Sequence, residues 1–247
     1  MRTALISDIH ANLEALHSVL DDIASQAVDR VVCLGDIVGY GPNPRECIDI
    51  VRDLDLCILG NHDQGALYDP EGFSGTAERA IFWTRSQLED QSDSANPDRW
   101  RFLAELPRVI REDKVLFVHG SARAPLSEYV FPEDVFNPKK MDALFSLVQS
   151  QCFQGHTHVP GIFTKNHHFV CPSDIEGKFV VGGQSLIINV GSVGQPRDQD
   201  PRCCYVIWDQ ETIEFRRVEY AMNETAEKIR EIPELDDFLG DRLVKGQ

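Results

Sequence analysis

No run of apolar residues in this 247-residue chain approaches the roughly 18 that a bilayer-spanning helix needs. The N-terminus lacks the basic-then-apolar pattern of a secretory signal. Basic residues are outnumbered, 24 Lys and Arg against 40 Asp and Glu, so the formal net charge is -16. A field of that sign opposes general attraction to nucleic acid or to an anionic membrane. The seven cysteines (Cys33, Cys47, Cys57, Cys152, Cys171, Cys203 and Cys204) are odd in number and lack paired metal-type spacing. They fit reduced thiols in a cytosol, most of them small core residues. No internal repeat or low-complexity tract is present. These absences predict a soluble, cytoplasmic protein whose partner is neither nucleic acid nor membrane. At 42% hydrophobic residues the chain still has the means to bury a sizeable core.

What is present is a series of short apolar runs that stop at donor side chains. Ala4-Leu5-Ile6 reads as a strand buried on both faces and ends in Ser7-Asp8-Ile9-His10. Ligands collect outside the carboxyl ends of such strands in open α/β sheets. Leu13, Leu16, Leu20 and Ile23 then recur at helical spacing behind Asn12, which is placed to cap them. Val31 to Leu34 forms a second run ending in Gly35-Asp36, and Leu56 to Leu59 a third ending in Gly60-Asn61-His62-Asp63. Helices are predicted from Ala77 to Leu88 and from Asp98 to Glu105, and Val109–Arg111 with Val115–Val118 form a hairpin that ends in His119-Gly120. A proline-bearing loop over residues 121 to 138 and a helix from Met141 to Gln149 lead to Gly155-His156-Thr157-His158. The last third is β-rich, with strands at 186–190 and 203–208, then a helix capped by Asn223 and an acidic end read as a surface tail or short helix. The expectation is a single domain over 1–247 with a cap or insertion at about 64–106.

Five segments therefore supply Asp8 and His10, Asp36, Asn61 and His62, His119, and His156 and His158. They contain five of the eight histidines, leaving His17, His167 and His168 as ordinary surface or helix residues. Carboxylate, imidazole and amide oxygen together suit hard to borderline divalent metals. Even with His62 set aside, seven donors exceed what one tetrahedral ion takes, so two ions are the simplest answer. Two-metal sites, with ions about 3.5 to 4 Å apart, can activate a bridging hydroxide and stabilise attacking and leaving oxygens in phosphoryl displacement. Phosphate ester hydrolysis is the chemistry that such a set suits.

In this order the blocks Asp8-Ile9-His10, Gly35-Asp36, Gly60-Asn61-His62-Asp63, Val118-His119-Gly120 and Gly155-His156-Thr157-His158 resemble the calcineurin-like metallophosphoesterases. Asn189-Val190-Gly191-Ser192-Val193-Gly194-Gln195-Pro196-Arg197 is similar to a later segment of small bacterial members. The resemblance implies an α/β fold, a four-layer α/β/β/α sandwich. It places Asp8, His10 and His158 on one metal and Asn61, His119 and His156 on the other, with Asp36 bridging and His62 as acid for the leaving group. An unperturbed imidazole pKa of about 6.5 suits that last role. Many relatives carry Gly where this chain has Ala11, which constrains the loop after His10. The implied cofactor is two divalent ions, manganese first, with iron, zinc and nickel compatible. The implied substrate is a small phosphate ester, a phosphodiester first. Phosphoprotein and dinucleoside polyphosphate hydrolysis stay open, as does a protein-binding scaffold of the same fold. Tyr40, Asn43 and Arg123 lie close in sequence to ligand loops and, with Arg197, are the candidates for substrate contacts.

Overall fold

The computed structural model describes all 247 residues. β1 (Thr3–Ile6) leads through Asn12, whose side chain accepts the Ala15 N–H, into α1 (Leu13–Ala24), so the cap sits where the helical spacing placed it. β2 (Arg30–Cys33), α2 (Pro44–Val51) and the two-residue β3 (Leu56–Cys57) follow. Asn61 does not continue a strand end: it opens α3 (Asn61–Leu67), because Asp63 accepts the Gly60 N–H and closes the first turn. Then come α4 (Gly75–Glu89), α5 (Asn96–Glu105), β4 (Val109–Glu112) and β5 (Val115–Val118). α6 (Pro138–Phe145), capped by Asn137, ends four residues before Gln149. β6 (Gln151–Gln154), β7 (Gly161–Thr164), β8 (Phe169–Val170), β9 (Lys178–Val180), β10 (Leu186–Asn189), β11 (Cys203–Trp208) and β12 (Thr212–Val218) build the β-rich last third.

One of the expectations for the C-terminal region needs correction. Asn223 is not the cap of α7 (Met222–Arg230); the helix begins two residues earlier than that cap implies, with Ala221 in the cap position and no side-chain bond there. The acidic end is α8 (Asp237–Lys245), and its Leu239 and Leu243 are buried against Trp83 of α4 and Ile229 of α7. Of the two readings of this end, tail or short helix, the helix is the one that forms, because its apolar spacing gives it a face to bury.

The strands form two six-stranded mixed sheets, in the orders β3-β2-β1-β11-β12-β9 and β4-β5-β6-β10-β7-β8. Strand alternation separates the core into layers. Ala4, Ile6, Cys203, Tyr205 and Ile207 face the helices of the first sheet, while Leu5, Cys204, Val206, Phe117, Phe153 and Ile188 pack between the sheets. Leu116, Cys152 and Ile187 point the other way, onto Met141, Leu144 and Phe145 of α6. Helix, sheet, sheet and helix are thus stacked in four layers, the α/β/β/α order. Residues 64–106 supply Ala66, Ile81, Leu88 and Leu103 to the same core as α1 and α2. All seven cysteines are free. No helix is long and apolar enough to cross a membrane.

Candidate metal centre

β1, β2 and β3 run parallel in one sheet and β5, β6 and β10 run parallel in the other. Asp8 and His10 leave β1, Asp36 leaves β2, Asn61 and His62 follow β3, His119 leaves β5, and His156 and His158 leave β6. All are therefore at carboxyl ends, and the two rows meet: the His156 N–H donates to Asp8 Oδ2 at 3.0 Å. His158 Nε2 lies 3.1 Å from Asp8 Oδ1 and 3.1 Å from His10 Nε2. Asp36 Oδ2 is 3.6 Å from His10 Nε2 and 3.3 Å from His119 Nε2. His119 Nε2 in turn lies 2.9 Å from Asn61 Oδ1 and 3.1 Å from His156 Nδ1. One oxygen of Asp36 thus stands between two groups of donors, all of them nearly or fully removed from solvent except the partly buried Asn61.

The outer face of each ring explains why the inner face suits a cation. His10 Nδ1 meets the Val38 carbonyl at 3.2 Å and His158 Nδ1 the Gln195 carbonyl at 2.6 Å. A carbonyl only accepts, so each Nδ1 carries the proton and each neutral ring turns a lone pair inward. Two lone pairs facing each other at 3.1 Å repel unless a positive centre lies between them. Burial and the neighbouring His62 hold His10 well below the usual imidazole range, so it stays neutral. At His119 burial is overcome by the carboxylates of Asp36 and Asp8, which push the ring up to about 10. His156 beside it falls to about 3 through burial and the His119 charge. Negative potential is therefore deepest around Asp36, and the donor set fits hard to borderline divalent ions.

The backbone is strained where these donors sit. Of thirteen non-glycine residues with positive φ, seven are Asp8, His10, Ala11, Asp36, Tyr40, His156 and His158. Each such residue costs on the order of 1–3 kcal/mol and persists only where its surroundings impose it. The imposing contacts come from groups within the quoted motif blocks to which the sequence reading gave no role. Asp63 accepts N–H bonds from Gly60, Ile37 and Val38 at 2.9, 2.9 and 3.1 Å and so ties two ligand loops together. The Asn189 amide donates to Gly155 O and Thr157 Oγ1, and the Ser192 hydroxyl and the Gly194 N–H donate to Asp8 O. The glycine-rich segment 189–197 is thus the brace of the candidate metal centre. A Cβ on Gly60 would overlap the backbone N and Oδ1 of Asp36. Gly60→Ala is therefore expected to displace Asp36 and cut kcat/KM for the phosphate ester hydrolysis that the donor set suits by about 100-fold or more. Circular dichroism should show a retained fold.

Comparisons with known proteins agree with this geometry. Residues 1–212 match the profile of the calcineurin-like phosphoesterase superfamily domain. An uncharacterised protein of Methanocaldococcus jannaschii is 38% identical over 258 residues, spanning 99% of this chain and 98% of that one. The crystal structure of a metallophosphoesterase from Sphaerobacter thermophilus superposes over 100% of both chains, with TM-score 0.85 and 37% identity. The chain belongs to the calcineurin-like phosphoesterase superfamily. It is a hydrolase that acts on phosphate esters, of a dinuclear metal-dependent family. A symmetrical bis(5'-nucleosyl)-tetraphosphatase of Erwinia tasmaniensis is 33% identical over 126 residues, 49% of this phosphoesterase and 44% of that enzyme.

A cavity of about 730 Å³ opens beside the phosphoesterase's donor cluster, walled by Tyr40, His62, Phe73, Arg108, Tyr129 and His156 among others. The ring of Tyr40 is 4.4 Å from that of His62, and Arg197 lies over the Tyr40 ring with its guanidinium carbon 5.8 Å from the centroid. Those two candidates are at the site; the other two are not brought to the cavity. Arg123 is turned to Glu128, which also accepts the Ser121 hydroxyl, so its charge staples its own loop. Asn43 heads α2, where its N–H bonds to Ala11 O. Tyr129, which no motif marked, stacks on His156 at 3.8 Å and 19°.

His62 departs from the unperturbed imidazole invoked for it. Burial, only partly offset by Asp36 and reinforced by Arg197, pushes the ring down to about 4. Its Nδ1 is buried against Gly39 without a hydrogen-bond partner. His62 is therefore held neutral.

Proposed function

We propose that this phosphoesterase hydrolyses phosphodiesters with two divalent ions, manganese first among them. Asp8, His10 and His158 would hold one ion, Asn61, His119 and His156 the other, and Asp36 both. The observation that carries this reading is the 3.1 Å approach of the inward nitrogens of His10 and His158, each with its outer nitrogen committed to a carbonyl. When bound, the ions supply Lewis acidity, which lowers the pKa of water and neutralises charge on the phosphoryl oxygens.

The chain's own groups do the rest. Asp36 Oδ1 accepts the His62 backbone N–H at 2.8 Å, which ties the start of α3 to the donor cluster. A phosphate anion beside the His62 ring favours its protonated form, from which a proton passes to the leaving oxygen. Tyr40 and Phe73 exclude water around the ring, their centroids 4.4 and 4.9 Å from it. The cavity wall carries both signs of charge, with Asp69 and Glu71 beside Arg108. Intact donors and an intact His62 favour hydrolysis over a scaffold role.

The test is turnover of bis(p-nitrophenyl) phosphate by chelator-treated protein before and after manganese is restored. Activity should vanish and return, and no turnover in either state would overturn the reading. The same addition is expected to raise stability by about 4 kcal/mol at a thousandfold excess over Kd. For a chain of this size that moves the thermal midpoint by roughly 10 °C, readable by calorimetry.

A further inference from the structure

Four histidine rings supply nitrogens to the donor cluster, and three of them are oriented alike. His10, His119 and His158 give their outer Nδ1–H to the carbonyls of Val38, Leu34 and Gln195 at 3.2, 2.9 and 2.6 Å and turn Nε2 inward. His156 is reversed. Its Nδ1 faces His119 Nε2 at 3.1 Å, and its outer Nε2 is buried with no hydrogen-bond partner from the chain. A ligand imidazole ordinarily gives its outer N–H to a carboxylate, carbonyl or water, which fixes the ring and raises its basicity. At His156 an aromatic ring stands in that role. The Tyr129 ring stacks on it with centroids 3.8 Å apart and planes 19° apart, and the Phe131 ring runs parallel to Tyr129 at 5.4 Å and 6°.

The segment that carries Tyr129 is held by contacts other than its own ring. Val130, next in sequence, is buried with Met141 and Leu144 of α6. Lys140 of α6 donates from Nζ to the Tyr129 carbonyl at 2.8 Å and pairs with Asp134 at 2.7 Å, while Asp134 Oδ2 accepts the Phe131 N–H at 2.8 Å. The pairing of Arg123 with Glu128 closes the loop just before it. Tyr129 itself is 44% exposed and lines the main cavity, so its ring is aimed at His156 by the backbone and not by burial of its own surface.

We infer that Tyr129 is a positioning residue for His156 and thereby sets the affinity of the ion that Asn61, His119 and His156 would hold. This deepens the two-ion reading and rests on it. Two uncharged rings disfavour a close face-to-face stack, because their negative faces meet, and they prefer offset or edge-on arrangements at wider spacing. A divalent cation at Nδ1 draws electron density from the imidazole, so the same stack becomes attractive, as it is for a cation over an aromatic face. A contact that is stronger in the loaded state than in the free state adds the difference to the affinity of the ion. The rings that face the other ion, His10 and His158, are fixed by carbonyls, so that ion should not respond to Tyr129.

The test titrates chelator-treated protein with manganese calorimetrically, as wild type and as Tyr129→Phe, Tyr129→Leu and Tyr129→Ala. Wild type should take up two ions. Tyr129→Ala and Tyr129→Leu should each weaken one of them by about tenfold or more, the loss that follows removal of an outer partner from a ligand histidine, and leave the other unchanged. Tyr129→Phe keeps the ring without the hydroxyl and should bind both ions as wild type does. Because Tyr129 is half-exposed, the metal-free variants should melt with the wild type. In Tyr129→Ala crystals soaked at limiting manganese, the anomalous peak among Asn61, His119 and His156 should fade while the other persists. Unchanged affinities in Tyr129→Ala would overturn the inference, as would rescue by leucine equal to that by phenylalanine, an equal weakening of both ions, or a loss confined to the ion at Asp8, His10 and His158. In those cases two ions still bind and the two-ion reading stands. A wild type that takes up a single ion would overturn that reading and this inference with it.

Discussion

Replacing Asp36 by Asn is expected to lower kcat/KM on a phosphodiester by about 1,000-fold or more, the several kcal/mol that paired Lewis acids contribute. The substitution is chosen so that loss of fold cannot explain the loss of rate. Asp36 has φ 53, a region that asparagine also tolerates, and its Oδ1 bond from the His62 N–H can be kept. What changes is Oδ2, the oxygen between His10 Nε2 at 3.6 Å and His119 Nε2 at 3.3 Å. An amide there removes the negative charge and turns either a weaker oxygen or an N–H toward the shared position. Bound metal should fall from two equivalents to one or fewer by elemental analysis. Full activity with two equivalents retained would show that Asp36 is not the shared ligand.

His62→Ala is expected to reduce kcat by about 100- to 10,000-fold, the range for a positioned proton donor, while two metal equivalents remain. The size of the loss should depend on the leaving group. p-Nitrophenolate departs without help, whereas an alkoxide needs the proton, so the deficit should be several-fold larger for an alkyl ester than for a nitrophenyl ester. Equal deficits for both esters would assign His62 to substrate positioning. The ring is surrounded by His10, Tyr40 and Phe73 at centroid distances of 4.8, 4.4 and 4.9 Å. Alanine leaves a gap there, so stability should be measured alongside.

The donor set is legible in the sequence because strand propensity and polar chemistry alternate sharply there: each apolar run is short and each ends in a residue that does not continue a strand. Asn12 is legible as a cap for the same local reason. What is not legible arises from pairing across long separations. β1 lies antiparallel to β11, with Leu5 opposite Val206, and no pattern near either residue announces the other. Asp63 reads as part of a turn, and only folding shows that three backbone N–H groups from two loops converge on it. Leu239 and Leu243 sit in an acidic stretch that reads as a tail or short helix, and only the fold shows them buried against Trp83 and Ile229. Arg123 shows the reverse failure: nearness in sequence to His119 suggested a substrate contact, and a glutamate five residues later claims the side chain. The pKa of His62 is likewise a property of burial and of Arg197.

The claim beneath these predictions is that seven side chains from five loops hold a pair of cations. Anomalous diffraction at the manganese edge, from crystals grown with manganese in excess, tests it most directly. Two peaks are predicted, one among Asp8, His10 and His158 and one among Asn61, His119 and His156, with Asp36 reaching both. A single peak, or peaks away from Asp36, would contradict it.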